Sequence, residues 1–274
     1  MLIWHRMFPA VLLLGLMQPG SPARFSAIFQ GACPEPESLK VQVIRTIRRS
    51  TPGFTEGLVY RNGLLFESTG GYGASALNRI DLSNGRVTEL ARLPSQWFGE
   101  GLDFWNGIFL QLTWKEGKAI LWPDEPTPEL VTIRSYPREG WGLTHGQAAW
   151  IASDGTAKLY FLDTVDLKEK GSLEVRLRGD PVRGLNELEE VNGKILANVF
   201  PTDLIFRIQM GEKGCVDGVL DLSALRSYFS PRDFARISKD PESVANGIAY
   251  DPEQRVLYVT GKNWPLIFKL KWPF

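Results

Sequence analysis

The chain is poor in residues that hold metals. Its 274 residues include 2 Cys and 2 His, and beyond residue 27 the histidines reduce to His145. That leaves no Cys/His cluster for zinc. Neither charge is in excess: 31 Lys+Arg face 31 Asp+Glu, which argues against nucleic acid or an anionic membrane as the main partner. A G-x-S-x-G elbow and a phosphate-cradling glycine loop are both missing. The apolar run near the N-terminus, Met7 to Met17 broken by Pro9, falls short of the about 20 residues that a spanning helix needs.

That run reads instead as the centre of a secretory signal over residues 1–27. His5 and Arg6 form the basic region, and Ser21-Pro22-Ala23 or Phe25-Ser26-Ala27 offers small residues for cleavage. A retained N-terminal anchor is the alternative. Residues 28–274 are then expected as a single domain, secreted or periplasmic, with no membrane contact once the signal is removed. Cys33 lies far beyond the apolar run, and Gln30 does not suit lipidation. In an oxidising compartment Cys33 and Cys215 are a candidate disulfide. Two partly buried free thiols are equally compatible, because sequence does not give their separation.

Glycine is abundant, with 27 residues alongside 18 Pro and 9 Trp. One stretch organises the rest: Phe98-Gly99-Glu100-Gly101-Leu102-Asp103-Phe104, a carboxylate directly before Gly-Leu and an apolar strand start. Phe54-Thr55-Glu56-Gly57-Leu58 repeats it, and Trp141-Gly142-Leu143 puts Trp in the acid's place. Asn186-Glu187-Leu188 and Asn246-Gly247-Ile248 are looser copies. Gly57, Gly101, Gly142, Glu187 and Gly247 follow one another at steps of 44, 41, 45 and 60 residues. Strand-rich units near this length are propeller blades. Each unit reads as a first strand, a turn such as Arg61-Asn62-Gly63, a returning second strand, a third strand and a weaker outer fourth. The expected fold is all-β, a five-bladed β-propeller. Lys40 to Ile47 would supply the outer strand of the last blade, and a short helix within Leu220 to Phe234 would account for the long step. A double-sheet sandwich would not produce the repeated Gly-Leu entry.

In a propeller the first strand of each blade lines the channel. One mouth therefore collects Glu56, Glu100, Trp141, Asn186 and Asn246 from strand starts, and Trp114, Asp154, Phe200 and Lys262 from strand ends. That is how a small-ligand pocket is built. Glu100 is the candidate general acid/base, because desolvation by Trp114 and Trp141 would raise its pKa; the plainer reading is a rim acid bonded to backbone N–H groups. Lys262 can stabilise negative charge developing on a carbonyl oxygen, or be a solvated loop lysine. Asn186 can orient an amide through donor and acceptor at once, or form an Asx turn. His145 reads as a strand residue and Asp154 as a turn former, neither as a metal ligand.

Eight motifs, in order, resemble the plant and bacterial glutaminyl-peptide cyclotransferases: Phe54-Thr55-Glu56-Gly57-Leu58, Glu67-Ser68-Thr69-Gly70-Gly71-Tyr72-Gly73, Phe98-Gly99-Glu100-Gly101-Leu102, Gly140-Trp141-Gly142-Leu143, Ser153-Asp154-Gly155-Thr156, Leu185-Asn186-Glu187-Leu188-Glu189, Asn246-Gly247-Ile248-Ala249 and Val259-Thr260-Gly261-Lys262-Asn263-Trp264-Pro265. The resemblance runs from about Lys40 to the C-terminus. It implies a five-bladed propeller unrelated to the zinc-dependent animal enzymes, and cyclisation of N-terminal glutaminyl residues of peptides or proteins to pyroglutamyl, with release of ammonia. It implies Glu100 as the catalytic acid/base, and Asn186 and Lys262 as the residues that hold and polarise the side-chain amide. Trp114 and Trp141 match pocket aromatics, and Phe54, Phe98, Glu56 and Phe200 complete the substrate pocket. Glu56 stands where plant members have Gln, and Phe200 where they have Trp. No cofactor and no catalytic metal are expected. The resemblance allows a structural calcium ion in the channel, which nothing in the sequence calls for independently. A monomer is expected. The rival readings are a propeller that binds a peptide or sugar without turnover, and a lactonase-type propeller hydrolase, which needs a calcium cage of several Asn, Asp and Glu ligands.

Overall fold

Alternation of apolar and polar residues over short runs, cut by Asn-Gly and Gly-rich turns, dictates strands joined by hairpins. The computed structural model describes residues 33–126 and 131–272; the signal reading of residues 1–27 lies outside them. The chain starts with β1 (Glu37–Leu39) and β2 (Val43–Arg48). A first antiparallel meander follows: β3 (Thr55–Arg61), β4 (Leu64–Thr69), β5 (Ala76–Asp81) and β6 (Val87–Arg92). The second is β7 (Gly99–Trp105), β8 (Ile108–Thr113), β9 (Lys118–Pro123) and β10 (Thr132–Ser135). The third is β11 (Leu143–His145), β12 (Trp150–Ala152), β13 (Lys158–Leu162) and β14 (Glu169–Leu177), with β15 (Asp180–Pro181) folded back on β14. The fourth is β16 (Leu185–Val191), β17 (Lys194–Val199), β18 (Leu204–Gln209) and β19 (Gly214–Asp221). Last come β20 (Ala245–Asp251), β21 (Val256–Gly261) and β22 (Leu266–Lys271), and β2 pairs with β22 as the fourth strand of that sheet. The fold is all-β.

The hairpin turns behave as their composition dictates. Asn62-Gly63, Asn106-Gly107 and Asn192-Gly193 all take positive φ at both residues, the twist that suits a two-residue hairpin. Three details refine the sequence reading. The closing strand begins at Val43 rather than Lys40, because Glu37–Leu39 forms its own parallel strand on the outer edge of β19. The short helix expected within Leu220 to Phe234 is there and runs three residues further: a 3₁₀ turn at Ser223–Tyr228 leads to α1 (Pro231–Ile237), set by Ser230, whose hydroxyl accepts the Asp233 N–H, and by Pro231 at the first helical position. Cys33 and Cys215 form a disulfide, with Cα atoms 5.3 Å apart, so the free-thiol reading falls.

Residues 31–274 gather into one compact unit. The first strands of the meanders pack side by side: β3 on β7, β7 on β11, β11 on β16, β16 on β20, and β20 on β3. This packing gives the recurring Gly-Leu entry its cause. A Cβ on Gly57 would lie 2.4 Å from the Leu102 amide nitrogen, one on Gly101 2.6 Å from that of Leu143, and one on Gly142 1.9 Å from the Asn186 carbonyl oxygen. Each glycine is where the backbone of the next inner strand presses in, and no side chain fits there. Apolar faces fill the spaces between sheets; Leu110, Leu112, Leu143, Trp150 and Ala152, for example, join the second meander to the third.

Candidate active site

Four inner strands carry a slip in ladder register at their start: between Thr55 and Gly57, Gly99 and Leu102, Leu185 and Leu188, and Ala245 and Ile248. Glu56, Glu100, Asn186 and Asn246 each fall inside one of these slips. A bulge releases a residue from the ladder and re-aims its side chain, so the recurring device is a bulge that turns one polar residue per strand out of the sheet. From the other direction, Trp114, Phe200 and Lys262 sit directly after β8, β17 and β21.

All of these but Asn246 line one open-mouthed cavity of about 160 Å³. Its walls are Phe54, Phe98, Trp114, Trp141 and Phe200, and its polar groups are Glu56, Glu100, Asn186, Lys262 and Glu242. Of the residues expected around the pocket, all but Asn246 and Asp154 line it. The aromatic walls brace one another: Phe98 lies 5.6 Å from Trp114 and stands edge-on to Phe54 at 6.3 Å, and Phe200 stands edge-on to Trp141 at 6.0 Å. The Lys262 ammonium lies 4.6 Å from the Phe54 ring centre and 5.2 Å from that of Phe200, a cation held between two aromatic faces.

The two acids differ in their partners. Lys262 Nζ donates to Glu56 Oε1 at 2.7 Å, and Asn246 Nδ2 donates to Glu56 Oε2 at 3.2 Å. Lys262 is therefore a buried, ion-paired group and not the solvated loop lysine that the sequence also allowed. Among the described residues no hydrogen bond is made to the Glu100 carboxylate. Burial holds the Glu100 pKa well above the ordinary carboxylate range, the neighbouring Glu56 carboxylate pushes it further, and Lys262 opposes both. Burial likewise raises Glu56, to about 7, against the pull of Lys262. Asn186 is 2% exposed, and its Oδ1 has no hydrogen-bond partner.

Two other residues of the expected ring stand apart. Asp154 does not line the cavity; its carboxylate accepts the Thr156 N–H and hydroxyl and pairs with Arg138, the turn-forming role. Asn246 lies behind Glu56, with Nδ2 also donating to the Thr55 carbonyl at 2.9 Å. His145 is a strand residue whose Nδ1 meets Asp103 Oδ2 at 2.6 Å. Burial pushes that imidazole down, but the Asp103 carboxylate outweighs it and the net shift is upward.

The sequence reading missed three acids. Glu242 lines the mouth. Glu139 Oε2 accepts both pocket indoles, Trp114 Nε1–H at 3.0 Å and Trp141 Nε1–H at 3.3 Å. Glu187, placed in the sequence only as a glycine equivalent, is fully buried and accepts the N–H groups of Leu58 and Ile248 at 3.1 and 2.9 Å. Glu139 stands one residue before the Gly140-Trp141 motif; nothing local separates it from an ordinary rim acid. Among the described residues no group of three or more His, Cys, Asp or Glu is gathered to hold a metal ion.

Fold and site define an all-β protein with an aromatic-walled funnel carrying one unengaged buried acid, one acid locked to a lysine, and a buried amide. The chain belongs to the glutamine cyclotransferase family, whose profile matches residues 12–272. It is 34% identical over 233 residues to the glutaminyl-peptide cyclotransferase of Arabidopsis thaliana, covering 85% of this chain and 71% of that protein. The crystal structure of Myxococcus xanthus glutaminyl cyclase superimposes with a TM-score of 0.72 at 32% identity, covering 86% of this chain and 98% of that one. A Bacteroides thetaiotaomicron protein of unknown function shares the fold alone, at a TM-score of 0.53 and 8% identity.

Proposed function

We propose that this chain is a glutaminyl-peptide cyclotransferase on a five-bladed propeller, converting N-terminal glutaminyl residues of peptides or proteins to pyroglutamyl with release of ammonia. The observation that carries the reading is the pairing of an unengaged buried carboxylate, Glu100, with an unpartnered amide oxygen, Asn186 Oδ1, in one aromatic-walled cavity. The cyclic packing of β3, β7, β11, β16 and β20 supports five blades. Residues 28–274 are the catalytic domain, monomeric, and residues 1–27 its secretory signal. The Cys33–Cys215 disulfide suits an oxidising compartment outside the cytoplasm, and no helix among the described residues is long and apolar enough to cross a membrane.

The chemistry follows from the pocket. The neutral α-amine attacks the side-chain carbonyl carbon of its own residue, and a tetrahedral centre forms. Glu100, ionised, takes one proton from the attacking nitrogen and delivers it to the departing amide nitrogen. The C–N bond then breaks and ammonia leaves, so the proton count closes without another reactant. A carboxyl held above its ordinary pKa suits this work, because its carboxylate is the stronger base toward the attacking amine. Asn186 Oδ1 accepts an N–H of the substrate amide. The Lys262 ammonium has three donors and gives one to Glu56, which leaves N–H groups for the carbonyl oxygen as it gains charge. Phe54, Phe98, Trp114, Trp141 and Phe200 hold the side chain folded back on its amine, and orientation of this kind supplies much of an intramolecular rate. No metal or other cofactor takes part in these steps.

The unengaged acid disfavours a merely binding propeller, and the aromatic-walled funnel fits a lactonase less well. Incubation with Gln-initiated and Glu-initiated dipeptides and a sugar lactone tests the reading. Ammonia release from the Gln peptide alone is expected; lactone hydrolysis without ammonia release would overturn it.

A further inference from the structure

We propose that Glu139 is a positioning residue for this reaction: its carboxylate fixes the indoles of Trp114 and Trp141 as one two-ring wall against which the glutaminyl side chain folds. The inference rests on the cyclotransferase reading for its consequence and on geometry for its substance. An indole has a single N–H donor, and both donors of these pocket tryptophans converge on one atom, Glu139 Oε2, at 3.0 and 3.3 Å. The two rings come from different sheets. Trp114 directly follows β8, and Trp141 leads into β11, so neither sheet by itself sets the angle between them.

The backbone around Glu139 is fixed. The Gly140 N–H donates to the carbonyls of both Thr113 and Trp114 at 3.1 Å, and the Trp141 N–H donates to Ser153 O at 3.2 Å. Each ring is also backed from outside. The Lys115 ammonium lies 3.8 Å from the Trp114 ring centre and 3.8 Å from Glu139 Oε1. Trp141 lies against Gly155, where a Cβ would come within 2.7 Å of the ring. Packing thus limits where each ring sits, and the shared carboxylate limits how it turns. Hydrogen bonds to an ionised acceptor are the stronger kind, and ordering the wall before substrate arrives removes that cost from binding.

The test uses two substitutions and two readouts. In ¹⁵N-labelled protein, the indole signals lost in Trp114→Phe and in Trp141→Phe identify the pair. Glu139→Ala should shift both signals together and leave the other indoles in place. In ammonia-release kinetics on the pH plateau, Glu139→Ala should raise KM roughly tenfold while kcat changes by no more than about threefold, because Glu139 acts on Glu100 only through its charge, which raises the Glu100 pKa and so moves the acidic limb rather than the plateau. Glu139→Gln keeps an oxygen acceptor and should return KM most of the way to wild type. Movement of one indole signal or neither, an unchanged KM in Glu139→Ala, or a Gln variant as impaired as the Ala variant would each overturn the assignment. The wild type is assayed first. If it releases no ammonia from Gln peptides, the cyclotransferase reading falls, and the paired indole signals still decide whether Glu139 couples the rings.

Discussion

Glu56 and Glu100 occupy equivalent bulges on neighbouring strands, yet the pocket assigns them different work. Glu56 has both oxygens engaged, by Lys262 and by Asn246, and acts as the counter-charge that keeps the ammonium in place. Glu100 has its burial and its neighbours' charge, and no such bond. Replacing Glu100 by Gln keeps shape and polarity but ends proton transfer. Turnover should fall by roughly 10²–10⁴ with the melting temperature unchanged; near-normal ammonia release from the folded variant would remove Glu100 from the mechanism. Glu56→Gln tests the coupling. A like charge beside Glu100 raises its pKa, so removing that charge lowers it. Lys262, released from its partner, then favours the Glu100 carboxylate further, in the same direction. The acidic limb of kcat/KM should move to lower pH, measured on one Gln-initiated peptide with both proteins. A limb that stays in place or moves up would show that the two acids titrate independently.

At the scale of elements, the inner strands do two jobs with one irregularity. The bulge that turns a polar residue into the pocket stands beside the glycine that lets the next strand approach. Both were legible as Glu-Gly-Leu and its variants, because close backbone approach demands glycine wherever it occurs. The strand order, the Asn-Gly hairpins and the aromatic walls were legible for similar local reasons. The partners were not. Glu187 looks like a failed copy of the glycine, but its carboxylate joins β16 to Leu58 of β3 and Ile248 of β20, which lie 129 and 61 residues away in sequence. Glu139 has the same history: its meaning depends on two indoles delivered by separate sheets. The Glu56–Lys262 pair spans 206 residues and could not be read from either neighbourhood. Glu187→Gln should therefore destabilise although it is nearly isosteric, since the amide offers one acceptor where two backbone donors point. The expected loss is about 1–3 kcal/mol, read from urea unfolding. An unchanged midpoint would mean that those strands hold together without it.

The domain is fastened at two places along its chain. The Cys33–Cys215 bond crosses a sequence separation of 182 residues and ties the N-terminal segment to β19, an outer strand, whereas the pocket is built on inner ones. Replacing both cysteines by Ser should cost about 2–5 kcal/mol of stability with kcat/KM unchanged, checked by unfolding and by ammonia release on the same preparation. A large loss of activity at ambient temperature would show that the bond shapes the pocket. The second fastening is β2, which completes the last sheet by pairing with β22, while Arg49 just beyond it is buried against Glu67 of β4 at 2.6 Å. This closure imposes a timetable on biosynthesis. β2 leaves the ribosome early and waits through almost the entire message for β22, and Lys262, on the turn before β22, is equally late. A chain that stopped short of Lys262 would lack the strand that β2 waits for and the ammonium of the pocket together.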